Sequence, residues 1–342
     1  MRYAAFLANR ENLVEAEYNS NYRMRNKDSK MWDSEKEAEA RHVHPARDSE
    51  RSEYSINDYS KDDPRSHADR DNHILTNNHQ HAPIGVFDSG AGGLTILSAL
   101  QQELPHENYI YFGDTAHCPY GKRSEADISE LTQQAIGFLV EQGVKLVVVA
   151  CNTVSQVVLT TLRATFPIPF VGVVPAVKPA VRATKRGRIG ITATDQAIKT
   201  RYLQQLIEEF ASDIQVYAIG CPELVTLVER GELDGPVVEE TVRQNLQPLL
   251  SKQVDVIVLG CTHFPALRSP IERVVGKQVQ VIDSGTAIAR RTRTVLENEG
   301  LIRSSSADET PLQIWCSGDP VFFSQVASKI LGNPVIARQS GS

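Results

Sequence analysis

One short stretch, Leu146-Val-Val-Val-Ala-Cys-Asn-Thr153, is the clearest indication of the class of fold. An uninterrupted apolar run gives way at its end to a thiol, an amide and a hydroxyl. Short continuous apolar strands are typical of parallel sheets that are covered on both faces. The stretch therefore predicts a buried strand that delivers reactive side chains at its C-terminal end, just before a predicted helix at Val154–Ala164.

Similar apolar runs recur from Ile84 onward and alternate with stretches of helical length, such as Ser124–Gln142 and Pro236–Leu250. This alternation predicts an α/β protein with largely parallel sheets. The predicted strands are Ile84–Phe87, Tyr109–Phe112, Leu146–Ala150, Phe170–Val174, Arg188–Ile191, Gln215–Ile219, Val254–Leu259, Gln278–Ile282 and Gln313–Trp315.

Two crossings divide this part of the chain into two similar α/β domains with a cleft between them. The length of 342 residues allows roughly two domains at about 150 residues each. Pro175 and Pro179 mark the first crossing, and Asp283-Ser284-Gly285 marks the second. We therefore expect a first domain of residues 84–174 and 283–342, and a second domain of residues 175–282.

The first 82 residues differ in composition from the rest of the chain. They contain no glycine, whereas all 21 glycines lie from Gly85 onward. Charged residues are dense there, and no apolar periodicity lasts more than a turn or two. Such a segment cannot bury enough apolar surface to offset the entropy of ordering its chain. We predict a disordered or weakly ordered polar extension over residues 1–82, whose irregularly spaced histidines indicate no metal site.

The overall charge and hydropathy exclude several classes of protein. A net charge of −6 and a pI near 5.9 give no general field for holding nucleic acid or an anionic membrane. No run reaches the ~18 apolar residues of a membrane span. The run Tyr3–Ala8 is too short for the core of a signal peptide. We therefore expect a soluble, cytoplasmic protein whose five cysteines are free thiols.

Three predicted strands end in polar or reactive residues, and ligands bind at this edge of open α/β sheets. The stretches are Asp88-Ser-Gly-Ala-Gly-Gly93, Cys151-Asn-Thr153 and Cys261-Thr-His263. Glycines in the first stretch let backbone N–H groups approach an anion at a helix N-terminus. A simple tight turn explains them equally well, and Asp88 and Ser89 do not fit a dinucleotide-binding turn.

Two strand-end thiols, Cys151 and Cys261, look like one arrangement used twice on opposite sides of a cleft. Metal binding lacks the usual cysteine and histidine spacings, and the expected compartment argues against a disulfide. A thiol and a thiolate that flank one carbon would remove a proton from one face and deliver another to the opposite face, which inverts a stereocentre. This chemistry requires thiols whose pKa is below the usual ~8.5, through a helix N-terminus at Cys151 and through His263 beside Cys261.

A structural role is the competing interpretation for any single cysteine, because free cysteine is among the most buried residue types. We adopt it for Cys221 and Cys316, and we favour it for Cys118, whose following residues are candidates to line the cleft. For Cys151 and Cys261 the paired context favours a function in proton transfer.

Five motifs together carry a family resemblance. They are Asp88-Ser-Gly90, Pro119-Tyr-Gly121, Ala150-Cys-Asn-Thr153, Val173-Val-Pro175 and Gly260-Cys-Thr-His-Phe-Pro265. In this order and spacing, the chain from about Ile84 to its C-terminus closely resembles glutamate racemase, of the aspartate/glutamate racemase superfamily. The resemblance implies a cofactor-independent isomerase that interconverts L-glutamate and D-glutamate. It also implies a part in peptidoglycan synthesis, cell wall biogenesis and cell shape, through the supply of D-glutamate.

The resemblance also implies roles for single residues. Cys151 would take the α-proton of D-glutamate, and Cys261 that of L-glutamate. Asp88 would assist Cys151, His263 would be the histidine beside Cys261, and Glu229, chosen by its spacing, would be the family's assisting glutamate. Without the resemblance, Asp88 is equally a helix cap, Glu229 a solvated helix residue and His263 a structural histidine. The implied substrate-binding residues are Asp88, Ser89, Pro119, Tyr120, Gly121, Asn152, Thr153, Thr192, Thr194, Thr262 and His263.

Other functions remain open at this stage. A racemase of another amino acid such as aspartate, or of a hydantoin, shares the two-cysteine logic. A thiol-based redox sensor or a regulatory protein is the alternative from another class. Residues 171–180 and 283–292 resemble family members that a UDP-muramyl peptide activates. The resemblance further implies a monomer or homodimer, and the charge and hydropathy predict neither nucleic acid nor a membrane as a partner.

Overall fold

The structure is a computed structural model and describes residues 80–303 and 311–340. The polar extension predicted over residues 1–82 lies outside the described residues, apart from positions 80–82. Within the described ranges, the chain alternates strands and helices from Ile84 onward.

All strands of the described residues belong to two parallel sheets. The strands are β1 (Ile84–Asp88), β2 (Tyr109–Gly113), β3 (Leu146–Val149), β4 (Phe170–Gly172), β5 (Arg188–Ala193), β6 (Gln215–Gly220), β7 (Val256–Leu259), β8 (Gln280–Ile282), β9 (Leu312–Cys316) and β10 (Ala337–Gln339). One sheet has six strands in the order β10-β9-β2-β1-β3-β4, and the other has four in the order β6-β5-β7-β8. We call each sheet with the helices packed on it a lobe, the first with six strands and the second with four.

Helices connect the parallel strands, as crossover connections require. The α-helices are α1 (Leu94–Glu103), α2 (Glu125–Glu141), α3 (Asn152–Val157), α4 (Leu159–Thr165), α5 (Val177–Ala183), α6 (Arg201–Phe210), α7 (Pro222–Glu229), α8 (Pro236–Leu250), α9 (Arg268–Val275), α10 (Gly285–Asn298) and α11 (Pro320–Leu331). No helix in these two ranges is both long and apolar enough to span a bilayer.

Both faces of the six-stranded sheet are buried, which explains the continuous apolar runs. Because successive side chains of a strand point to opposite faces, β3 divides its residues between two cores. Leu146 and Val148 pack in one apolar cluster with α1 and α10. Val147 and Val149 pack in another, together with Ile136 of α2. A strand with polar residues at alternate positions would leave one of these clusters incomplete.

The chain leaves the first sheet after β4 and returns to it with β9. The two crossing segments contact each other, because the Ser284 hydroxyl donates a hydrogen bond to the carbonyl oxygen of Val174 over 2.6 Å. After the second crossing, α10 packs in the apolar cluster of α1. The sheets fix where the chain changes lobes, and the division into domains at 174/175 and 282/283 stays a prediction.

The predicted α/β class with two parallel sheets is confirmed, and each predicted strand overlaps an observed one. Two local expectations differ from the structure. Strand β10 was not predicted, because it has three residues and two of them, Arg338 and Gln339, are exposed. The helix predicted at Val154–Ala164 is two helices, since the backbone at Val158 leaves the helical region with φ −121° and ψ −6°.

Candidate active site

The strand ends of the two sheets bring two thiols to one site. Cys151 follows β3 of the first lobe and directly precedes α3. Cys261 follows β7 of the second lobe by one intervening residue, Gly260. Both side chains are 5% exposed, and each thiolate would raise the free energy of the other through their electrostatic interaction.

Cys151 has a hydroxyl neighbour and a buried carboxyl nearby. Its Sγ lies 3.5 Å from the hydroxyl oxygen of Ser89. Burial raises the pKa of Cys151 to about 12, and the charge of Asp88 adds to this effect. The hydrogen bonds from the Val154 backbone and from Ser89 act in the opposite direction but are weaker. The pKa shift is therefore opposite to the expectation of a more acidic thiol at this helix N-terminus, because desolvation outweighs the helix end.

Asp88 is fully buried at the end of β1. Its Oδ1 accepts a hydrogen bond from the backbone N–H of Gly90 at 2.7 Å. Its Oδ2 accepts one from the hydroxyl of Thr262, in the opposite lobe, at 3.0 Å. Burial raises the pKa of Asp88 to about 6, although the charge of His263 and these hydrogen bonds lower it in part. The carboxyl group therefore changes its protonation close to neutral pH.

Cys261 is the first member of a chain of three side chains. Its Sγ lies 3.6 Å from Nδ1 of His263. The other ring nitrogen, Nε2, lies 2.5 Å from Oε1 of Glu229, at the C-terminal end of α7. The same oxygen accepts a hydrogen bond from the backbone N–H of Ala91, in the first lobe, at 2.7 Å. The imidazole ring is thus held between a thiol and a carboxylate.

The charges of His263 and Glu229 stabilise each other. Burial alone would lower the pKa of His263, but its hydrogen bonds to Cys118, Cys261 and Glu229 outweigh burial and hold that pKa well above its ordinary value. Burial alone would raise the pKa of Glu229, but the hydrogen bond and the charge of His263 hold it below its ordinary value. The pair is therefore an imidazolium and a carboxylate.

The glycine turn after β1 accommodates this pair. A Cβ atom on Gly90 would lie 2.1 Å from Oε1 of Glu229, and one on Gly92 would lie 2.5 Å from Nδ1 of His263. The Cβ on Gly92 would also lie 2.7 Å from the backbone nitrogen of His263, so a side chain there would push the two lobes apart. The sequence indicated that the turn approaches an anion, and the anion that its backbone contacts is the carboxylate of Glu229.

Four more of the predicted residues differ in what their polar side chains contact. Asn152 is buried, and its Oδ1 has no hydrogen-bond partner within the described structure. The hydroxyls of Thr153 and Thr194 meet across the two lobes at 3.0 Å. Thr192 is directed elsewhere, because its hydroxyl donates to the carbonyl oxygen of Val258 within the second sheet.

The segment Pro119–Gly121 borders the site from the first lobe. A Cβ on Gly121 would lie 2.9 Å from the Cβ of Thr194. The Tyr120 side chain is buried and donates to Oδ2 of Asp114 at 2.5 Å. Asp114 also accepts a hydrogen bond from the hydroxyl of Ser317. Asp114 was missed from the sequence because it follows β2 with no distinctive motif, although it lies at the same edge of the sheet as Asp88 and Cys151.

The other cysteines differ in their surroundings. Cys316 lies in an apolar cluster of the first lobe and Cys221 in one of the second. Cys118 is half-buried and forms hydrogen bonds with His263 and Glu229. All five cysteines of the chain are free. The structural interpretation of Cys118 thus omitted its contacts with the pair beside Cys261.

Residues 93–292 match the Asp/Glu/Hydantoin racemase family. Over 244 residues, the chain is 43% identical to a glutamate racemase of Herpetosiphon aurantiacus. This alignment covers 71% of this chain and 96% of that protein. The chain therefore belongs to the Asp/Glu/Hydantoin racemase family and is an amino-acid racemase, an isomerase.

Two solved structures of glutamate racemases resemble this chain. A crystal structure of glutamate racemase isoform RacE1 from Bacillus anthracis aligns with a TM-score of 0.70 at 33% identity, and covers 77% of this chain and 98% of that one. Escherichia coli glutamate racemase, solved in complex with L-glutamate and the activator UDP-MurNAc-Ala, aligns with a TM-score of 0.68 at 36% identity. That match covers 75% of this chain and 97% of the other. Within its family, the chain thus resembles the glutamate racemases.

Proposed function

We propose that this racemase interconverts L-glutamate and D-glutamate by proton transfer between two thiols, without a cofactor. The observation that carries the proposal is the pair of buried strand-end thiols, Cys151 and Cys261, each from a different sheet and each with its own acid–base partners. The names of the matched relatives supply glutamate as the substrate.

In one direction, Cys151 removes the α-proton of D-glutamate, and Cys261 protonates the opposite face. Removing the thiol proton of Cys151 is costly in the substrate-free site, because its pKa is about 12. The substrate carries an α-ammonium group, and a cation close to the sulfur lowers the pKa of the thiol. Asp88, with a pKa of about 6, is the group that accepts the displaced proton. Binding of the amino acid thereby generates the base.

In the other direction, Cys261 removes the α-proton of L-glutamate. The imidazolium ring of His263 next to its sulfur favours the thiolate electrostatically. Glu229 holds the ring in orientation and keeps it charged. The fixed imidazolium of His263 thus promotes formation of the Cys261 thiolate, whereas the bound substrate and Asp88 promote formation of the Cys151 thiolate.

Polar groups from both lobes hold the amino acid between the sulfurs. The unpartnered Oδ1 of Asn152 is an acceptor for the substrate ammonium group. The hydroxyls of Ser89 and Thr153, with nearby backbone N–H groups, are donors for the carboxylates, whereas the hydroxyl of Thr262 donates to Asp88. As the α-proton leaves, negative charge moves onto the α-carboxylate, and fixed donors stabilise this enolate-like state in the closed site. Pro119, Tyr120, Gly121 and Thr194 border the same space, whereas the hydrogen bond of Thr192 to the sheet argues against a direct contact by that residue.

Solvent-isotope labelling tests the two-thiol mechanism. L-Glutamate is incubated with the enzyme in deuterated water, and both enantiomers are analysed at low conversion. Two separate bases deliver deuterium only to the face opposite the removed proton, so D-glutamate should carry deuterium while the remaining L-glutamate keeps its proton. The Cys316→Ala variant, which removes a buried thiol outside the site, should behave like the parent. Equal early labelling of both enantiomers would contradict two bases.

Substrate choice is tested in the same solvent. L-Aspartate, a hydantoin and other L-amino acids are compared with L-glutamate for exchange of the α-hydrogen. Fast exchange only with glutamate supports the assignment, whereas equal or faster exchange with aspartate would favour the alternative racemase. Absence of exchange with every amino acid would favour a thiol sensor or a regulatory protein.

Two further parts of the proposal concern the cell. The enzyme supplies D-glutamate for peptidoglycan, and growth of a D-glutamate-requiring bacterium on expression of this chain tests that role. UDP-MurNAc-Ala activates the enzyme, by analogy with the Escherichia coli complex. An unchanged rate when this precursor is added would refute activation, and repeating the assay after deletion of residues 1–82 tests whether the extension takes part.

A further inference from the structure

A mixed set of metal-binding groups lies next to Cys261. The set consists of Cys118, Glu229 and His263, and one ligand atom of each lies within 4.8 Å of the other two. Cys118 comes from the loop after β2 in the first lobe, and the other two residues come from the second lobe. We propose that these three side chains bind a thiophilic divalent cation such as Zn²⁺, and that the bound ion inhibits racemisation.

The chemistry of the donors selects the class of ion. Thiolate and imidazole ligands favour zinc and similar borderline-soft cations over magnesium or calcium. Zinc binds sulfur at about 2.3 Å and nitrogen or oxygen at about 2.0–2.2 Å, so its tetrahedral ligands lie roughly 3.5 Å apart. The Nε2 atom of His263 and Oε1 of Glu229, now 2.5 Å apart, would separate modestly, while the thiol would approach. Both are rotamer-scale movements.

Binding of the ion releases protons from the ligands. A dication is held by a thiolate and a neutral imidazole, so Cys118 gives up its Sγ proton and His263 any proton on the ligating nitrogen, and these protons go to solvent. The thiolate and the carboxylate of Glu229 then offset the two positive charges of the ion, which lowers the electrostatic cost of placing a dication there.

A cavity whose lining includes neither Cys151 nor Cys261 reaches two of the three ligands. A cavity of about 330 Å³ between α7 and α11 is lined by Cys118 and Glu229, together with Thr226 and Phe322. Its wall also holds the opposite charges of Arg230 and Asp319. The fourth coordination position would face this cavity and hold a water molecule, as in zinc sites with three protein ligands.

Inhibition rests on the proposed function, because the ion would bind His263 and Glu229, which contact and orient the groups beside the catalytic thiol of Cys261. Metal binding itself does not depend on that function. The two parts therefore need separate measurements.

Cobalt(II), a spectroscopic substitute for zinc, tests the site in the full-length chain. Titration with Co²⁺ should produce a thiolate-to-cobalt charge-transfer band in the near ultraviolet. The Cys118→Ser variant should lose this band, whereas Cys316→Ser and Cys151→Ser should keep it. The Glu229→Gln variant keeps all thiols and should retain the band at higher cobalt concentrations. A band that persists in Cys118→Ser, or disappears in Cys151→Ser, would overturn the assignment.

Zinc inhibition is then measured in a buffered free-zinc series, with each variant compared with its own metal-free rate. Loss of a ligand should raise the half-inhibitory zinc concentration of Cys118→Ser by roughly 100-fold or more relative to the parent. Cys316→Ser is the matched control and should respond like the parent, and chelation should restore the rate in both. A Cys118-dependent cobalt band without zinc inhibition would refute the inhibitory role while leaving the two-thiol mechanism to its own test.

Discussion

The two sides of the site use different means to handle a buried thiol. Cys151 lies beside a neutral hydroxyl and near a carboxyl that titrates near neutral pH. Cys261 lies beside an imidazolium ring that a carboxylate holds in place. Burial and the charge of Asp88 disfavour the first thiolate more than its hydrogen bonds favour it, whereas the second thiol has an imidazolium next to it.

This difference indicates that similar strand-end motifs do not imply similar electrostatics. A racemase needs both proton transfers, yet each side can reach them by its own route, one through the bound substrate and one through fixed protein charge. The two enantiomers have equal free energy, so any substitution must change kcat/KM equally in both directions. The asymmetry between Cys151 and Cys261 should appear instead in isotope effects and pH profiles.

The largest effect is expected from removing either sulfur. Cys151→Ala and Cys261→Ala should each lower the rate of racemisation by roughly 1000-fold or more, because each proton transfer loses its acid–base group. Circular dichroism at a wavelength that separates the enantiomers follows the rate, and far-ultraviolet spectra check the fold. Cys316→Ala, in an apolar cluster of the first lobe, is the control. Turnover near the parental rate in either catalytic variant would exclude the two-thiol mechanism.

A smaller loss should follow from removing the imidazolium. His263→Asn should lower kcat/KM by roughly 100-fold in both directions, because Cys261 loses its stabilising cation. The isotope effect of α-deuterated substrate should rise more for L-glutamate than for D-glutamate, since proton removal by Cys261 becomes the slower step. Equal isotope effects in the two directions would mean that His263 does not serve Cys261 in particular.

The pH profile should identify Asp88. If its carboxylate accepts the proton of Cys151, the rate falls about tenfold per pH unit as the pH drops below about 6. Asp88→Asn should lose this limb and retain a low, flat rate. The raised pKa means that the folded state binds this proton more tightly than the unfolded state, so the ionised carboxylate costs stability above pH 6. The variant should therefore melt at a higher temperature than the parent at pH 8 but not at pH 4.

The glycine turn offers a steric test. Gly92→Ala places a methyl group 2.5 Å from Nδ1 of His263 and 2.7 Å from its backbone nitrogen, so the lobes cannot approach fully. We expect kcat/KM to fall about tenfold, in keeping with the cost of misplacing catalytic groups. Gly137→Ala in α2 is the control, because a Cβ there meets nothing within 4 Å. That control should gain about 0.5–1 kcal/mol in free energy of unfolding at unchanged activity. Equal activity of the two variants would contradict the close packing.

The smallest effect is expected at the contact between hydroxyls of the two lobes. Thr194→Val removes the 3.0 Å hydrogen bond to Thr153, which is worth about 1 kcal/mol, so KM should rise about fivefold. Thr192→Val, at a hydroxyl bonded to the sheet backbone, should lower the melting temperature and leave KM unchanged. A KM change in the second variant rather than the first would reverse the placement of these two threonines relative to the substrate.

Much of the site follows from local sequence, because an apolar strand followed by a polar tripeptide indicates both a buried strand and a functional edge. The positions of Cys151, Cys261 and Asp88 could be predicted in this way. The relation of Glu229 to His263 could not, since the two residues belong to separate elements and only packing brings α7 against the turn after β7. Cys118 was interpreted as structural and Asp114 was overlooked for the same reason, because their contacts in the site also depend on packing between separate elements.

The class of fold, the order of the strands along the chain and the residues at their ends could be predicted from the sequence, because these depend on side-chain periodicity over a few neighbouring positions. The order of strands in each sheet, the hydrogen bond from Thr262 to Asp88 and the high pKa of the Cys151 thiol depend on tertiary packing. Desolvation and the charges of distant residues set that pKa, and both depend on which surfaces the two lobes press together.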